Sequence, residues 1–233
     1  MNEEILTRIA AALERIVPPP PQSADPLAHP AYVWRDGALQ AARAFAPMPI
    51  DLLEGMDAQK EAVLANMRRL AAGLPAHDVL LWGARGTGKS ALVKAGIGQV
   101  QNEDGDIALV EVAGDGLAGL PRLFAALALA RGDGRYSKLL RQLARANLLI
   151  LDDWGPEPLL PEQARDLLEI VEDRYDAGSL LITSQVPVDR WYDIIGIPTL
   201  ADAVLDRVVH NAYRIELSGE SLRKCKAPEP AAA

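Results

Sequence analysis

Apolar positions along this chain follow helical spacing in some stretches and short unbroken runs in others. Ile5, Ile9, Leu13, Ile16 and Val17 recur at helical spacing with charges between them, which predicts an amphipathic helix over residues 1–17. Pro18–Pro21 end it, because proline lacks the N–H that a helix needs and favours a stiff extended segment. Pro26, Pro30, Pro47 and Pro49 continue that character, so residues 18–50 read as a strap over a domain. The first helix is either a docking handle for a partner or a segment folded back on the body.

From Asp57 the pattern becomes regular. Asp57 is placed to cap a helix running to about Ala72, with Val63, Leu64, Met67 and Leu70 on one face and Gly73 as the stop. Asp78–Trp82 is a short apolar run followed by glycines, as expected of a buried parallel strand. Further strands are predicted at Ile107–Val112, Asn147–Leu151, Ser179–Thr183 and Tyr213–Leu217. Helices are predicted at Lys89–Val100, Leu120–Ala130, Tyr136–Ala146, Pro161–Asp176 and Thr199–Asn211. Strands alternating with helices imply an α/β fold, a five-stranded parallel sheet with helices on both faces. Residues 51–226 form that domain, and 227–233 read as a frayed tail.

Composition excludes several classes. The 233 residues suffice for one α/β domain with a core of its own. Aromatics are only 5%, so Leu, Ala, Val and Ile must build that core. The formal charge of −8 argues against coating nucleic acid through bulk charge, although a local basic patch stays open. A single cysteine, Cys225, excludes an internal disulfide framework. No segment reaches the roughly 18 consecutive apolar residues of a membrane helix. Glu3 and Glu4 stand where a secretion signal carries positive charge, so a cytoplasmic location is expected.

One segment carries unmistakable chemistry. Gly83-Ala84-Arg85-Gly86-Thr87-Gly88-Lys89-Ser90, followed by Ala91, matches the phosphate-binding pattern G-x-x-x-x-G-K-[ST] between a predicted strand and a predicted helix. Glycines let successive N–H groups turn inward around phosphate at a helix N-terminus. Lys89 adds a point charge on the β- and γ-phosphates of ATP, and the Ser90 hydroxyl is a hard ligand for Mg²⁺.

Hydrolysis needs a carboxylate element as well. Leu148-Leu149-Ile150-Leu151 runs into Asp152 and Asp153. Asp152 suits the Mg²⁺ shell, and Asp153 would orient or deprotonate the attacking water. The bland reading is two acids opening the turn before Gly155. The strand ending at Thr183 is followed by Ser184 and Gln185, either of which could meet the γ-phosphate or the water; Ser184 is the first choice. Arg207, alone on its helix, reads from spacing as a salt-bridged residue. Arg135, Lys138, Arg141 and Arg145 form a stripe opposite Leu139, Leu140 and Leu143. That stripe either tracks double-stranded DNA or is a solvated face. His29, His77 and His210 show no metal-ligand spacing, and Trp154 reads as packing.

The runs LLILDDWGPEPL, EQARDLLEIVEDRY and LITSQVPVDRWYDIIGIPTLADAVLDRVVHNAYRIELSGESLRK strongly resemble the IstB-like transposition helper ATPases, AAA+ proteins related to the DnaC helicase loaders. The resemblance covers about residues 134–226. It implies that Asp152 and Asp153 are the Walker B acids, Ser184 the sensor region, and Arg207 an arginine finger reaching the ATP of a neighbouring subunit. It also implies a head-to-tail oligomer, a DNA-bound state, and a transposase or helicase as partner.

The first 120 residues, with AYVWRDG and the run from IDLLEGMDAQ to GARGTGKSALVKA, look like a different bacterial AAA+ family, since IstB-like loops run nearer G-P-T-G-V-G-K-T. A mosaic with a seam near Gly114–Arg131 is therefore expected. Leu160 stands where the family often has a Ser or Thr helix cap, a loss of about 1 kcal/mol. The fold expected is a P-loop NTPase of AAA+ type without a C-terminal lid domain. The function expected is Mg²⁺-dependent ATP hydrolysis assisting a transposase or loading a helicase; the competing reading is a nucleotide-gated binding module with little turnover and no DNA role.

Overall fold

The computed structural model describes residues 28–35, 38–112, 120–155, 157–175, 177–210 and 212–218. The helix expected at 1–17, the proline run at 18–21, Cys225 and the tail at 227–233 lie outside the described residues. Along the chain come β1 (Ala31–Arg35), β2 (Ala38–Ala41), α1 (Asp57–Ala71), β3 (Asp78–Gly83), α2 (Lys89–Asn102), β4 (Leu109–Val112) and α3 (Leu120–Gly132). Then follow α4 (Tyr136–Arg145), β5 (Leu148–Trp154), α5 (Pro161–Arg174), β6 (Ser179–Ser184), α6 (Trp191–Ile195), α7 (Pro198–His210) and β7 (Ala212–Leu217).

Four strands form the main sheet, in the order β5-β6-β3-β7, with every pairing parallel. Strand β3, which leads into the phosphate loop, is central. Its side chains alternate between two layers, as period-2 geometry requires. Leu80 enters a core with Leu127, Leu140, Leu167, Ile170 and Val204 from α3, α4, α5 and α7. Val79 and Leu81 enter another with Val63, Met67, Leu92 and Ile97 from α1 and α2. Leu180 and Ile182 of β6 join the first layer and Leu181 the second. Helices therefore cover both faces. Leu80 is wholly buried, and its truncation to Ala would cost roughly 2–5 kcal/mol.

The fifth strand expected in this sheet is elsewhere. β4 pairs in parallel with β1, Ala31 opposite Leu109 through Trp34 opposite Val112, and β1 pairs antiparallel with β2. The result is a separate three-stranded sheet, β2-β1-β4. The segment read as a strap thus carries a hairpin, and its prolines flank the strands instead of interrupting them. Pro30, which cannot donate to a ladder, accepts from Leu109 N at 3.1 Å and from Gln101 Nε2 at 2.8 Å. Farther on, Pro47 lies so close to α2 that a Cβ on Gly98 would come within 2.4 Å of its ring.

Local signals differ in places from the expectations. Asp57 is the first residue of α1 and not its cap; Met56 holds the cap position and makes no side-chain cap bond. The Asp57 carboxylate instead pairs with Lys60 Nζ at 2.9 Å, one turn on. Leu160 caps α5 with no side-chain bond of its own, but its N–H donates to Gln163 Oε1 at 2.9 Å, which satisfies one donor at that end. The short helix α6 between β6 and α7 was not expected. It carries Trp191, which is 1% exposed and packs on Trp154 with ring centroids 5.2 Å apart.

Candidate functional site

The phosphate loop joins β3 to α2. Gly83 ends the strand against β7, where a Cβ would lie 2.2 Å from the carbonyl oxygen of Leu217. Gly88 caps α2 at φ 95°, a left-handed conformation that other residues adopt at a cost. Between them the loop closes on itself: Thr87 Oγ1 donates to Ala84 O at 2.9 Å. Lys89 is only 8% exposed, and its Nζ donates to Gly83 O at 2.7 Å and Ala84 O at 2.9 Å. Burial lowers the lysine pKa from its ordinary value, and the charges of Asp153 and Asp152 pull the other way. Arg85 is exposed.

Sheet order sets the acids beside this loop. Strand β6 lies between β3 and β5, so the tip of β5 stands one strand away from the strand that feeds the loop. Ser90 Oγ, at the start of α2, lies 2.8 and 3.0 Å from the two carboxylate oxygens of Asp152. These are two side chains with hard oxygens at the mouth of an anion-binding loop. They suit Mg²⁺, which takes one or two protein oxygens and completes its shell with phosphate oxygens and water. Among the described residues no three His, Cys, Asp or Glu side chains cluster as a metal cage.

The register of β5 against β6 shifts between Leu151 and Trp154, and Asp153 sits in that irregularity at φ 63°. Aspartate tolerates this region better than most residues. Thr183 in β6 and Gln185, just past its end, hold the acids there. Thr183 Oγ1 donates to Asp152 Oδ1 and accepts from Asp153 N at 3.0 Å. Gln185 Nε2 donates to Asp153 Oδ1 at 2.6 Å.

Ser184, the first choice from the sequence, is turned away. It is 0% exposed, and its Oγ lies 2.9 Å from the carbonyl oxygens of Trp154 and Val186 and accepts from Val186 N. Successive residues of a strand face opposite sides, so Ser184 points away from the acids that Thr183 meets, and Gln185, in the bend after the strand, turns back to Asp153. The alternative named from sequence, Gln185, is the one that reaches an acid. Sequence reasoning missed Thr183 altogether; the signal was its two-residue spacing from Gln185.

Arg207 lies at the other end of the sheet. It stands near the end of α7, just before β7, whose first residue Ala212 is in register with Asp78 at the start of β3. Its guanidinium lies 3.0 Å from Glu172 Oε1 and donates to Ala203 O at 2.9 Å. It is therefore not brought to its own chain's phosphate loop. Nearby, the buried Arg174 donates to Leu143 O at 2.6 Å and Ser179 O at 2.7 Å, and burial pushes its pKa down to about 10. It ties α5 to α4 and β6, a role the sequence did not signal.

Along the basic stripe, Lys138 and Arg141 are exposed on α4, while Leu139, Leu140 and Leu143 are buried. Arg135 precedes the helix and donates Nε to Asp133 Oδ2 at 2.8 Å. The side chain of Arg145 lies outside the described residues. Arg131 stacks over the Tyr136 ring at 4.3 Å and pairs with the buried Asp166, fastening the end of α3 to the start of α4 and to α5.

Comparison with known proteins agrees with this geometry. The family model for IstB-like ATP binding protein matches residues 32–229. The matched range spans the expected seam near 114–131, and the two-family reading finds no support. The chain is 49% identical over 200 residues to an insertion sequence ATP-binding protein of Sinorhizobium fredii, covering 83% of this chain and 78% of that protein. It is 32% identical over 161 residues to the IS21 ATP-binding protein of Pseudomonas aeruginosa, covering 69% of this chain and 58% of the other.

Among solved structures, DnaI aligns with a TM-score of 0.56 at 19% identity, over 73% of this chain and 95% of that one. The DnaC helicase loader aligns at 0.53 and 16%, over 76% and 100%. AMPPCP-bound DnaA from Aquifex aeolicus aligns at 0.53 and 14%, over 72% and 47%. These likenesses show the fold, a parallel sheet covered by helices with a strand leading into the phosphate loop. Among the described residues no helix is long and apolar enough to cross a membrane. The chain belongs to the family of IstB-like ATP-binding proteins.

Proposed function

We propose that this chain is an Mg²⁺-dependent ATPase that assembles head to tail on double-stranded DNA and assists a transposase. The observation that carries the reading is the chain of contacts Ser90–Asp152–Thr183–Asp153–Gln185 beside the Lys89 loop. A loop that only bound nucleotide would need no second acid held in a left-handed conformation and oriented by an amide.

The chemistry follows from these positions. The loop amides and Lys89 take the phosphates of ATP; to do so the ammonium leaves the carbonyls of Gly83 and Ala84. Ser90 and Asp152 would hold Mg²⁺, which when bound offsets charge on the β- and γ-phosphates. Asp153 receives a proton from the attacking water, and Gln185 orients its carboxylate for that transfer. Arg207, remote from its own loop, supplies charge to a neighbour's γ-phosphate once it gives up Glu172.

Two observations support a transposase and DNA as partners. Relatives bear insertion-sequence names. Lys138 and Arg141 lie on one exposed side of α4, spaced to follow a phosphate backbone. The test is the rate of phosphate release with and without double-stranded DNA, and DNA binding across a salt series. DNA should raise the rate, and Lys138→Ala with Arg141→Ala should lower the salt slope by roughly two. An unchanged rate with DNA, or a double variant that binds as the parent does, would remove DNA from the account and leave these residues as a solvated face.

A further inference from the structure

We infer that Thr183 is a positioning residue for the metal half of the site, acting on Mg²⁺ through Asp152 and on the water through Asp153. The inference rests on the Mg²⁺–nucleotide reading given above and assigns a part to a side chain that touches neither group.

Thr183 stands near the tip of β6, in register with Leu81 on the strand that enters the phosphate loop, and it is 1% exposed. Its hydroxyl has one proton, which goes to Asp152 Oδ1. The oxygen accepts the backbone N–H of Asp153 at 3.0 Å. One buried atom thus holds the carboxylate of the first acid and the backbone of the second. The first bond fixes Asp152 in the orientation that meets Ser90 at 2.8 Å. The second helps hold Asp153 at φ 63°, in the irregular register between Leu151 and Trp154.

Water cannot easily substitute for a hydroxyl so deeply placed. Without it, Asp152 loses one of the groups that orient it, and the Asp153 N–H loses its acceptor. Loss of a group that orients a metal ligand typically weakens metal affinity about 10- to 100-fold. Valine has the shape of threonine without the hydroxyl, so Thr183→Val removes both bonds while keeping the packing and the strand preference. Serine keeps the hydroxyl and loses only the methyl.

The experiment is a Mg²⁺ titration of binding by a fluorescent, non-hydrolysable ATP analogue, on the parent, Thr183→Val and Thr183→Ser, with a parallel measurement in EDTA. Thr183→Val should need at least roughly ten-fold more Mg²⁺ for half-maximal enhancement of binding. Its affinity in EDTA should equal that of the parent, and Thr183→Ser should restore the parent's Mg²⁺ requirement. A role in packing alone would weaken binding equally with and without Mg²⁺ and would not separate valine from serine; that result overturns the assignment. So does a folded Thr183→Val with the parent's Mg²⁺ requirement. A parent whose analogue affinity ignores Mg²⁺ overturns the underlying reading itself, and is recognisable because no variant is needed to see it.

Discussion

Gln185 Nε2 stands 2.6 Å from Asp153 Oδ1, an amide donating to the second of the two acids near the tip of β5. The acid is already in an uncommon backbone conformation, and Gln185 fixes the remaining freedom of its side chain. A hydrogen bond to a charged group is worth about 1.5–3 kcal/mol, which corresponds to roughly ten-fold or more in rate. Gln185→Ala should therefore lower kcat by about that factor while leaving nucleotide affinity unchanged. Steady-state kinetics with a separate binding measurement decide it; a fall in affinity with kcat intact would place Gln185 on the nucleotide and not on the acid.

Arg207 is held to Glu172 and Ala203 at the end of the sheet opposite the phosphate loop. An arginine so placed acts on ATP only across a contact between copies, in a heterologous assembly. Specific activity should rise with protein concentration. Arg207→Ala should lose up to roughly 10³-fold in turnover, because a finger supplied in trans has effects of that size. Mixing it with Lys89→Ala should restore part of the rate, since each variant supplies the half-site the other lacks. If the folded variants show no rescue on mixing, Arg207 is a salt-bridge residue only.

The helix that follows the phosphate loop is tied at its far end by Arg68 of α1, whose Nε and Nη2 meet the two carboxylate oxygens of Glu103 at 2.8 and 2.7 Å. This pair, with help from Gln99, lowers the Glu103 pKa to about 2. A carboxylate with a depressed folded-state pKa stabilises the fold above its ordinary value of 4.5, and that contribution fades as pH falls towards 2. Glu103→Gln should thus lower the melting temperature slightly at pH 7, and the gap to the parent should narrow on acidification. Thermal melts of both proteins across that range test this; a gap that widened in acid would contradict it.

How much of this was legible depended on the distance over which each signal acts. The phosphate loop was readable because its chemistry is local, with glycines, lysine and serine at fixed spacing on one turn. Asp152 and Asp153 were readable as acids closing an apolar strand. Which β6 side chain would face them was not, because that depends on the register shift between Leu151 and Trp154, a property of two strands together. Ser184 and Thr183 are neighbours, and one residue along a strand is a change of face. The pairing of β1 with β4 joins segments far apart in sequence, and the prolines around β1 hid it. Gln163 replaced the cap that Leu160 cannot supply, a compensation visible only once α5 has a definite start.

The central claim is that nucleotide held by the Lys89 loop is hydrolysed with Asp153 as the base. The most direct measurement is steady-state phosphate release from Mg²⁺-ATP by the parent, Lys89→Ala and Asp153→Asn, with ATP affinity measured on the same samples. Lys89→Ala should bind no nucleotide. Asp153→Asn should bind as the parent does and turn over at least roughly 10²-fold more slowly, since it keeps the shape of the acid and loses its basicity. Phosphate release by Asp153→Asn at the parent's rate, or a parent that binds ATP and releases no phosphate, would contradict the account.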